Sequence, residues 1–363
     1  MKIAAIETIV VRLPYAHDGP PTGFGGTVWT TLDTLLVRVD TDAGITGWGE
    51  AFGYNVIPAT KAAIDTQIAP LVVGRDAADN AGINRMLQQQ LHLFGRTGPA
   101  TFGLSGIDIA LWDIAGKAAG LPLHRLLGGT TPKPLPTYAS MLRYTDPKIV
   151  ARVAEKAANS GARYIKLHEI TVEAVKAARE AVGPDVAIML DTNCPWTFDE
   201  ALAIVRAMEP YDLFWLEEPL WPPENMEGLA ALRDRFDVPI AAGENFLSPM
   251  HFAQMFAAEA LDVAQPSVTK IGGVTALREV QALARAANVQ LTPHSPYFGP
   301  GLLATLQVIA ATPEPTLVER FFVTMQPSLY GDLTEAKDGM MRVPDGPGLG
   351  RDPDPAVIAK YRA

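Results

Sequence analysis

The chain has 363 residues, of which 48% are hydrophobic and 19% are charged, and its formal net charge at pH 7 is −10. This composition is typical of a soluble globular enzyme with enough apolar material for one large domain and a smaller one. The negative charge argues against nucleic acids and anionic membrane surfaces as partners. An acidic small substrate stays compatible with it, because a metal ion and lysines can reverse the field in one cleft.

The chain contains a single cysteine, Cys194, which excludes an internal disulfide framework and fits a reducing cytoplasm. The N-terminus does not resemble a signal peptide, since Glu7 and Arg12 interrupt its apolar run and Pro14 follows. No run approaches the ~20 apolar residues that a membrane helix requires. We therefore expect a cytoplasmic protein.

The first third of the chain predicts a small α+β domain. Residues 2–13 are expected to form a strand and residues 34–51 a hairpin, and helical patterning dominates from about residue 60 to 127. The segment 19–26 between the strands is too rich in glycine and proline for regular structure. It is either a surface connection or a mobile flap over a site, and we favour the flap.

From residue 135 onward, short apolar runs alternate with helical patterns at intervals of about 25 residues. Eight such runs predict an α/β fold, a modified TIM barrel of parallel strands. No comparable helix follows the eighth run, so we predict a (β/α)7β barrel over residues 129–331. Residues 1–128, completed by the tail 332–363, are predicted to form the α+β capping domain. The predicted helices are Pro147–Ser160, Val172–Val182, Phe198–Met208, Met226–Phe236, Pro249–Ala258, Val274–Asn288 and Leu302–Ala311.

Three consecutive barrel strands are predicted to end on a carboxylate, namely Asp191, Glu217 and Glu244. Barrel enzymes carry their chemistry at the C-terminal ends of the strands, so these acids should meet at one mouth. Unpaired anions at close quarters raise one another's pKa values, and the arrangement therefore needs a cation. Three hard oxygen ligands without cysteine or histidine suit Mg²⁺, with Mn²⁺ as a substitute.

Other polar residues end the remaining strands, and together they form a recognisable pattern. The motifs are Lys166-x-His168, Asp191-x-Asn193, Trp215-Leu216-Glu217-Glu218-Pro219, Gly243-Glu244-Asn245, Lys270-Ile271-Gly272-Gly273 and His294. In this order and spacing the chain resembles the mandelate racemase branch of the enolase superfamily. The resemblance implies a capping domain over a barrel that lacks its final helix. It also implies one Mg²⁺ on the three acids, an enediolate formed by removing a proton α to a carboxylate, and a homo-oligomer.

The resemblance also assigns roles to individual residues. The family's common strand-two pattern is Lys-x-Lys, with the second lysine as base, whereas this chain has His168 there. Imidazole titrates near neutrality, so His168 can act as base or acid, and Lys166 would hold the substrate carboxylate. By family position Glu319 donates a hydrogen bond to the other carboxylate oxygen, which requires protonation and a raised pKa. The alternative is an ordinary glutamate paired with Arg320 or a lysine.

Strand six departs from the family pattern as well. An aspartate often stands there and orients the strand-seven histidine, but this chain has Ser267. A hydroxyl can fix the tautomer of His294 but cannot supply charge, so His294 should be a weak base. It could protonate a departing hydroxyl or only bind substrate. The further candidates for substrate binding are Asn193, Lys270, Tyr138 and Ser267.

The function favoured by these residues is Mg²⁺-dependent dehydration of an acid sugar to a 2-keto-3-deoxy acid. In this reaction His168 or Lys166 removes the α proton and His294 protonates the departing β-hydroxyl. The alternatives are a racemase or epimerase, a cycloisomerase acting on a sugar-acid lactone or anhydro acid, and a catalytically silent relative. In each catalytic case the partner is a small carboxylate.

Overall fold

The computed structural model describes residues 1–23, 27–130, 133–313 and 316–363. The N-terminal part is an antiparallel sheet with helices packed on it. Its elements are β1 (Ile3–Ala16), β2 (Thr31–Thr41), β3 (Thr46–Ala51), α1 (Ile57–Ala63), α2 (Ala69–Val72), α3 (Asn80–Gln90), α4 (Pro99–Ala119) and α5 (Leu123–Leu126). Strand β2 lies between β1 and β3. The long hydrophobic helix α4 starts with Pro99, and Gly120 closes it in the left-handed conformation. It packs so closely on β3 that a Cβ at Gly49 would lie 1.9 Å from the Gly106 carbonyl oxygen.

The second part is a curled parallel sheet with helices on its outside. Its elements are β4 (Leu135–Ser140), α6 (Pro147–Asn159), β5 (Tyr164–Leu167), α7 (Val172–Val182), β6 (Ala187–Asp191), α8 (Phe198–Met208), β7 (Leu213–Glu217), α9 (Met226–Arg233), β8 (Ile240–Ala242), α10 (Pro249–Ala257), β9 (Val263–Ala264), α11 (Gly273–Ala286), β10 (Gln290–Leu291), α12 (Pro300–Ala310) and β11 (Val318–Phe321). Their order is β10-β9-β8-β7-β6-β5-β4-β11, so the eighth strand lies beside the first.

This architecture confirms the predicted (β/α)7β barrel. Each of the seven predicted helices overlaps an observed one, and their ends differ by no more than about three residues, as expected for boundaries read from periodicity. In the described part of the chain, no α-helix lies between the eighth barrel strand and residue 355, so the barrel lacks its final helix. Among the described helices, none combines the length and apolar character that a membrane crossing requires.

The C-terminal segment contacts both parts of the molecule. Its elements are β12 (Thr324–Met325), β13 (Met340–Met341) and α13 (Pro355–Tyr361). Strand β12 pairs with β1, whereas β13 pairs with β4 of the barrel. Arg362, just beyond α13, forms a bridge with Val11 of β1. The division into a cap of residues 1–128 and 332–363 and a barrel of residues 129–331 stays a prediction.

Two buried acids of the N-terminal part bind the N-termini of barrel helices, and we call them the clamp acids. Asp108 of α4 accepts a hydrogen bond from the backbone N–H of Thr275 in α11, at 3.0 Å. Glu50 of β3 accepts one from Gly301 in α12, at 2.8 Å. Burial raises the pKa of Asp108 to about 6 and that of Glu50 to about 7. They fix the cap against the helices that follow strands six and seven.

Candidate functional site

The predicted site residues from strands two, three, four and eight come together around one ammonium group. Asp191 and Glu217 are direct partners in the register of β6 and β7. The Nζ atom of Lys166 lies 3.2 Å from Oδ2 of Asp191, 3.0 Å from Oε1 of Glu217 and 3.0 Å from Oε1 of Glu319. All four side chains are almost fully buried. The barrel mouth therefore holds a dense cluster of charge that is shielded from water.

Burial and neighbouring charges set the protonation of this cluster. Burial opposes the charged form of Lys166, but Glu217 and Glu319 raise its pKa well above the ordinary value. Burial likewise opposes ionisation of Asp191, yet Lys166 and His168 hold the pKa of that carboxyl far below its usual range. Burial and Asp191 raise the pKa of Glu217 well above normal. The mouth thus carries more acid than its lysines neutralise.

Fixed donors orient the two acids. Oε2 of Glu217 accepts hydrogen bonds from Trp215 Nε1 at 3.1 Å and Gln265 Nε2 at 2.8 Å. Oδ1 of Asp191 accepts from both the backbone and the side-chain nitrogen of Asn193, at 3.0 and 2.9 Å. Asn193 has a φ of 55°, in the left-handed region that asparagine adopts more readily than most residues, and its amide turns back onto Asp191. The amide predicted to bind substrate is therefore engaged in holding Asp191.

The third predicted acid, Glu244, lies on the other side of the mouth. Its Oε2 is 2.5 Å from Nε2 of His294, and its Oε1 is 3.7 Å from Nζ of Lys270. Burial opposes its ionisation, but His294 and Lys270 lower its pKa. Lys270 also donates to the Glu244 backbone carbonyl at 3.1 Å and lies 4.3 Å from the ring centroid of Phe52. Lys270 is therefore a support for Glu244 and a contact with the cap.

The three predicted metal ligands do not form a ready-made cage. Within the described ranges, no three histidine, cysteine, aspartate or glutamate side chains are grouped so that they could hold a metal ion. The physical reason is that Asp191 and Glu217 share Lys166, whereas Glu244 pairs with His294. The three acids can bind one metal ion together only if they exchange these partners for the cation.

The chemistry of the donor set nevertheless fits a hard divalent cation. The predicted ligands offer only carboxylate oxygens, which Mg²⁺ prefers. The acids at the mouth outnumber its two lysines, Lys166 and Lys270. These acids are Asp191, Glu217, Glu218, Glu244 and Glu319. Burial and the charge of Glu244 raise the pKa of Glu218 to about 8, which is a direct sign of excess negative charge.

The histidine on strand two has a defined tautomer. His168 Nδ1 lies against the backbone carbonyl of Met141. A carbonyl can only accept, so Nδ1 carries the proton and the neutral ring has its lone pair on Nε2. Nε2 lies 3.1 Å from Oδ2 of Asp191, at the mouth, with the side chain 8% exposed. A carboxylate also only accepts, so Nε2 can take a proton once Asp191 has exchanged this contact for another partner.

Glu319 is paired with Lys166 in this structure, and its predicted role as a hydrogen-bond donor to substrate stays a prediction. Although burial favours the neutral form, Lys166 and His294 lower the pKa of Glu319. Its Oε2 accepts a hydrogen bond from the backbone N–H of Ser295 at 2.9 Å. Glu319 is an ionised acceptor and cannot donate to a substrate oxygen in this state. The ion pair with a lysine, which was the alternative, is the observed arrangement.

Two predicted substrate-binding residues are fully buried and contact other residues of the site. Strand β4 ends at Ser140, which pairs in register with Lys166, whereas Tyr138 pairs with Glu319 of β11. The Tyr138 ring lies 5.6 Å from the Lys166 ammonium. The Ser267 hydroxyl binds Tyr297 instead of His294. Substrate binding by Tyr138 and Ser267 stays a prediction.

Gln265 and Tyr297 were missed in the sequence. Tyr297 follows His294 by three residues in a loop without regular period, and its hydroxyl lies 3.4 Å from His294 Nδ1. Gln265 precedes Ser267 by two residues on the same strand end, a spacing that could have suggested it. Part of the predicted flap, residues 24–26, lies outside the described residues. Beside it, Trp29 stacks on Tyr54 of the cap, with ring centroids 4.7 Å apart.

Comparisons with known proteins agree with this geometry. Residues 5–128 match the N-terminal domain of the mandelate racemase / muconate lactonizing enzyme family, and residues 148–357 match the enolase C-terminal domain-like family. The chain is 29% identical over 341 residues to an arabinonate dehydratase of Saccharolobus solfataricus, with 91% of each protein covered. It is 32% identical over 356 residues to a 3,6-anhydro-alpha-L-galactonate cycloisomerase of Streptomyces coelicolor, with 96% of each covered. The crystal structure of a racemase from Streptomyces coelicolor A3(2) with bound magnesium gives a TM-score of 0.87 at 30% identity, covering 99% of this chain and 100% of that one.

Proposed function

We propose a reaction from the premise that the chain belongs to the mandelate racemase / muconate lactonizing enzyme family of the enolase superfamily. The reaction is elimination from an acid sugar. A proton is removed from the carbon α to the carboxylate, and the oxygen on the β carbon departs. With a hydroxy acid the products are water and a 2-keto-3-deoxy acid. The observation that carries the proposal is the position of His168, whose Nε2 faces the acid cluster on which the metal would sit while Nδ1 donates to the Met141 carbonyl.

We further propose that Asp191, Glu217 and Glu244 hold one Mg²⁺, for which Mn²⁺ can substitute. The magnesium in the Streptomyces coelicolor racemase structure supports this assignment. A divalent cation bound there would neutralise the substrate carboxylate and make the adjacent C–H bond more acidic. Lys166 and His294 pair with these acids in the structure, and such an ion would displace them.

The chain's own side chains account for the proton steps. His168 takes the α proton on Nε2, and the Met141 carbonyl stabilises the resulting imidazolium through Nδ1–H. Lys166 holds the substrate carboxylate by its positive charge. The C–H electron pair forms the new double bond as the C–O bond breaks. Protonated His294 gives a proton from Nε2 to the departing oxygen, which leaves as water. The enol product then loses its hydroxyl proton and takes one at the β carbon to become the keto acid, which restores both histidines.

A cycloisomerase is the second candidate, because the 32% identity to such an enzyme extends over almost the whole chain. Its chemistry begins with the same proton removal, and the departing oxygen stays attached because it belongs to a ring. A racemase differs more, since it needs a second base on the opposite face of the substrate. Whether His294 gives or takes a proton therefore distinguishes elimination from racemisation.

Incubation of acid sugars, their lactones and anhydro acids with Mg²⁺ in deuterated buffer, followed by proton NMR, tests the proposal. We expect a keto-acid product with loss of the α-proton signal. A ring-opened isomer of a lactone or anhydro acid indicates cycloisomerisation, and α-proton exchange in which the acid sugar keeps its constitution indicates racemisation or epimerisation. No reaction and no exchange across the library would favour the catalytically silent relative.

Three coarser properties belong to the same proposal. Residues 1–128 with 332–363 act as the cap that covers the barrel of residues 129–331, the chain forms a homo-oligomer, and it works in the cytoplasm. The contacts of β12 and α13 with β1 support the cap, the family supports the oligomer, and the single Cys194 supports the location. Light scattering of the purified protein measures the oligomeric state.

A further inference from the structure

Arg143 lies at the barrel mouth, where its side chain crosses the ends of three neighbouring strands. It belongs to the loop that follows β4. Its Nε donates a hydrogen bond to the backbone carbonyl of His168, just beyond β5, at 2.5 Å. Its Nη2 donates to the Thr192 carbonyl at 2.9 Å and to Oδ1 of Asn193 at 3.0 Å, just beyond β6. The half-buried guanidinium is therefore fixed beside the proposed base.

The backbone around Arg143 is held from two sides. Glu169, which is only 2% exposed, accepts hydrogen bonds from the backbone N–H groups of Tyr144 at 2.7 Å and Thr145 at 3.2 Å. From the segment after β1, the hydroxyl of Thr22 donates to the Arg143 carbonyl at 3.1 Å. None of these partners is a predicted metal ligand. The position of the guanidinium is thus built into the fold.

One nitrogen of this guanidinium is not engaged. Among the described residues, nothing accepts a hydrogen bond from Nη1 of Arg143, and no carboxylate lies within ion-pair distance of it. A guanidinium stays charged and has two N–H donors on Nη1. Arg179, before β6 and β7, differs because each of its three nitrogens donates to backbone carbonyls. These belong to Tyr211, Gly183, Val186 and Asp212.

We propose that Arg143 binds the oxygen atoms of an acid sugar at the end remote from the reacting carboxylate, an inference that rests on the proposed function. In that function Lys166 and the metal hold the reacting carboxylate, and His168 faces the α carbon. Arg143 is hydrogen-bonded to the backbone of the same histidine and neutralises no acid of the mouth. Its Nη1 is therefore available for the remaining part of the substrate.

The consequence is a selection among carboxylic acids. A charged N–H donor that a bound ligand covers without accepting from it loses its water and gains nothing in return. Oxygen atoms beyond the β carbon supply the acceptor, whereas a short or apolar α-hydroxy acid does not. The site should therefore prefer acids of five or six carbons with hydroxyl or carboxylate groups at the distal end.

The test is calorimetric binding to the full chain with Mg²⁺ in a His168→Asn background, which prevents turnover and keeps the carbonyl that Arg143 binds. The probes are five- and six-carbon aldonates and aldarates, and D-glycerate, which has no oxygen beyond its β carbon. We expect the best longer acid to bind at least ~10-fold tighter than D-glycerate. Arg143→Met should weaken that acid ~10–100-fold, the range for a hydrogen bond to a charged group, and leave D-glycerate unchanged.

A larger loss for an aldarate than for the aldonate of the same configuration identifies the distal group as a carboxylate, and equal losses identify a hydroxyl. Absence of any preference for the longer acids would overturn the proposal. Equal weakening of D-glycerate in Arg143→Met would also overturn it, because an arginine that only supports the loops affects all acids alike.

Two further variants keep the test decisive. Arg179→Met is the matched control, since it should lower the melting temperature and leave the preference unchanged. If Arg143→Met does not fold, Arg143→Lys keeps the charge but cannot reach the same acceptors, and the preference should still fall several-fold. In the active enzyme, Arg143→Lys should raise KM for the longer acid and keep kcat within a few-fold. A preference that depends on Arg143 without any elimination refutes only the proposed function.

Discussion

Two groups of buried acids in this molecule are neutralised in different ways. The mouth acids Asp191, Glu217, Glu244 and Glu319 face the side-chain nitrogens of Lys166, Lys270 and His294. The clamp acids Asp108 and Glu50 instead face backbone N–H groups at the start of α11 and α12. Neighbouring side chains lower the pKa of Asp191 and Glu244, that of Glu217 stays raised, and burial raises the pKa of Asp108 to about 6.

The comparison shows which buried acids can exchange their partners. A side-chain ammonium can move aside for a metal ion or a substrate, because its position depends on flexible torsions. A helix N-terminus cannot move without moving the helix, so an acid bound there is part of the fold. We therefore assign chemistry to the mouth acids and stability to the clamp acids. Mutation of each group, with activity and stability both measured, tests the two assignments.

The largest expected effect is on activity at the mouth. Glu217→Gln keeps the shape of the side chain but removes the charge that a cation needs, so kcat/KM should fall by roughly 10³-fold or more, in line with the several kcal/mol of metal-ion catalysis. The melting temperature should not fall, since burial and Asp191 already raise the pKa of Glu217 and penalise its ionised form. Steady-state kinetics and thermal unfolding measure both. Activity within tenfold of the wild type would contradict the role of Glu217.

The next effect separates the base from the metal ligands. His168→Asn should reduce α-proton exchange by about 10²–10⁴-fold, the range of a lost general base, while Mg²⁺ affinity measured by calorimetry stays unchanged. His92→Asn is the control, because this histidine is exposed and contacts the Gln89 carbonyl in the cap. Exchange that survives in His168→Asn would show that another residue is the base.

The clamp acids should show the reverse pattern. Asp108→Ala leaves the part-buried Thr275 N–H without its acceptor and removes one of the two acceptors of the buried Asn84 amide, which should cost about 1–3 kcal/mol in the free energy of unfolding. The folded fraction should keep its kcat within a few-fold. Denaturant unfolding measures the change, and Asp65→Ala, at a half-exposed ion pair with Lys61, is the control with a smaller expected loss. Loss of activity without loss of stability would erase the distinction between the two groups.

The smallest effect is a pH dependence of stability. The folded-state pKa values of Asp108 and Glu50 are raised to about 6 and about 7, so the native state binds more protons than the unfolded state between pH ~4 and ~7. Their contribution to stability should therefore fall as pH rises through this interval. The double variant Asp108→Asn and Glu50→Gln should flatten that slope. If the double variant keeps the wild-type pH dependence of stability, other titrating groups cause that dependence.

The sequence was sufficient for the features that depend on periodicity. The seven barrel helices and the three acids at successive strand ends follow from hydrophobic spacing, which burial imposes directly. Local pattern does not determine where a strand ends, so the extension of β4 two residues beyond Tyr138, to Ser140, could not be predicted.

The details that depend on distances between strands could not be predicted. The identity of Glu319 was visible, but its pKa is lowered by a lysine 3.0 Å away on another strand. Tyr297 reaches His294 through an irregular loop, where no period predicts the direction of a side chain. The residue types therefore indicated the chemistry, and the tertiary packing determined the protonation states.

The most direct test is anomalous diffraction from crystals of the full chain grown with Mn²⁺. The account predicts one peak at bonding distance from carboxylate oxygens of Asp191, Glu217 and Glu244, with Lys166 and His294 displaced from these acids. A map with no peak there, and with Lys166 still between Asp191 and Glu217, would contradict it.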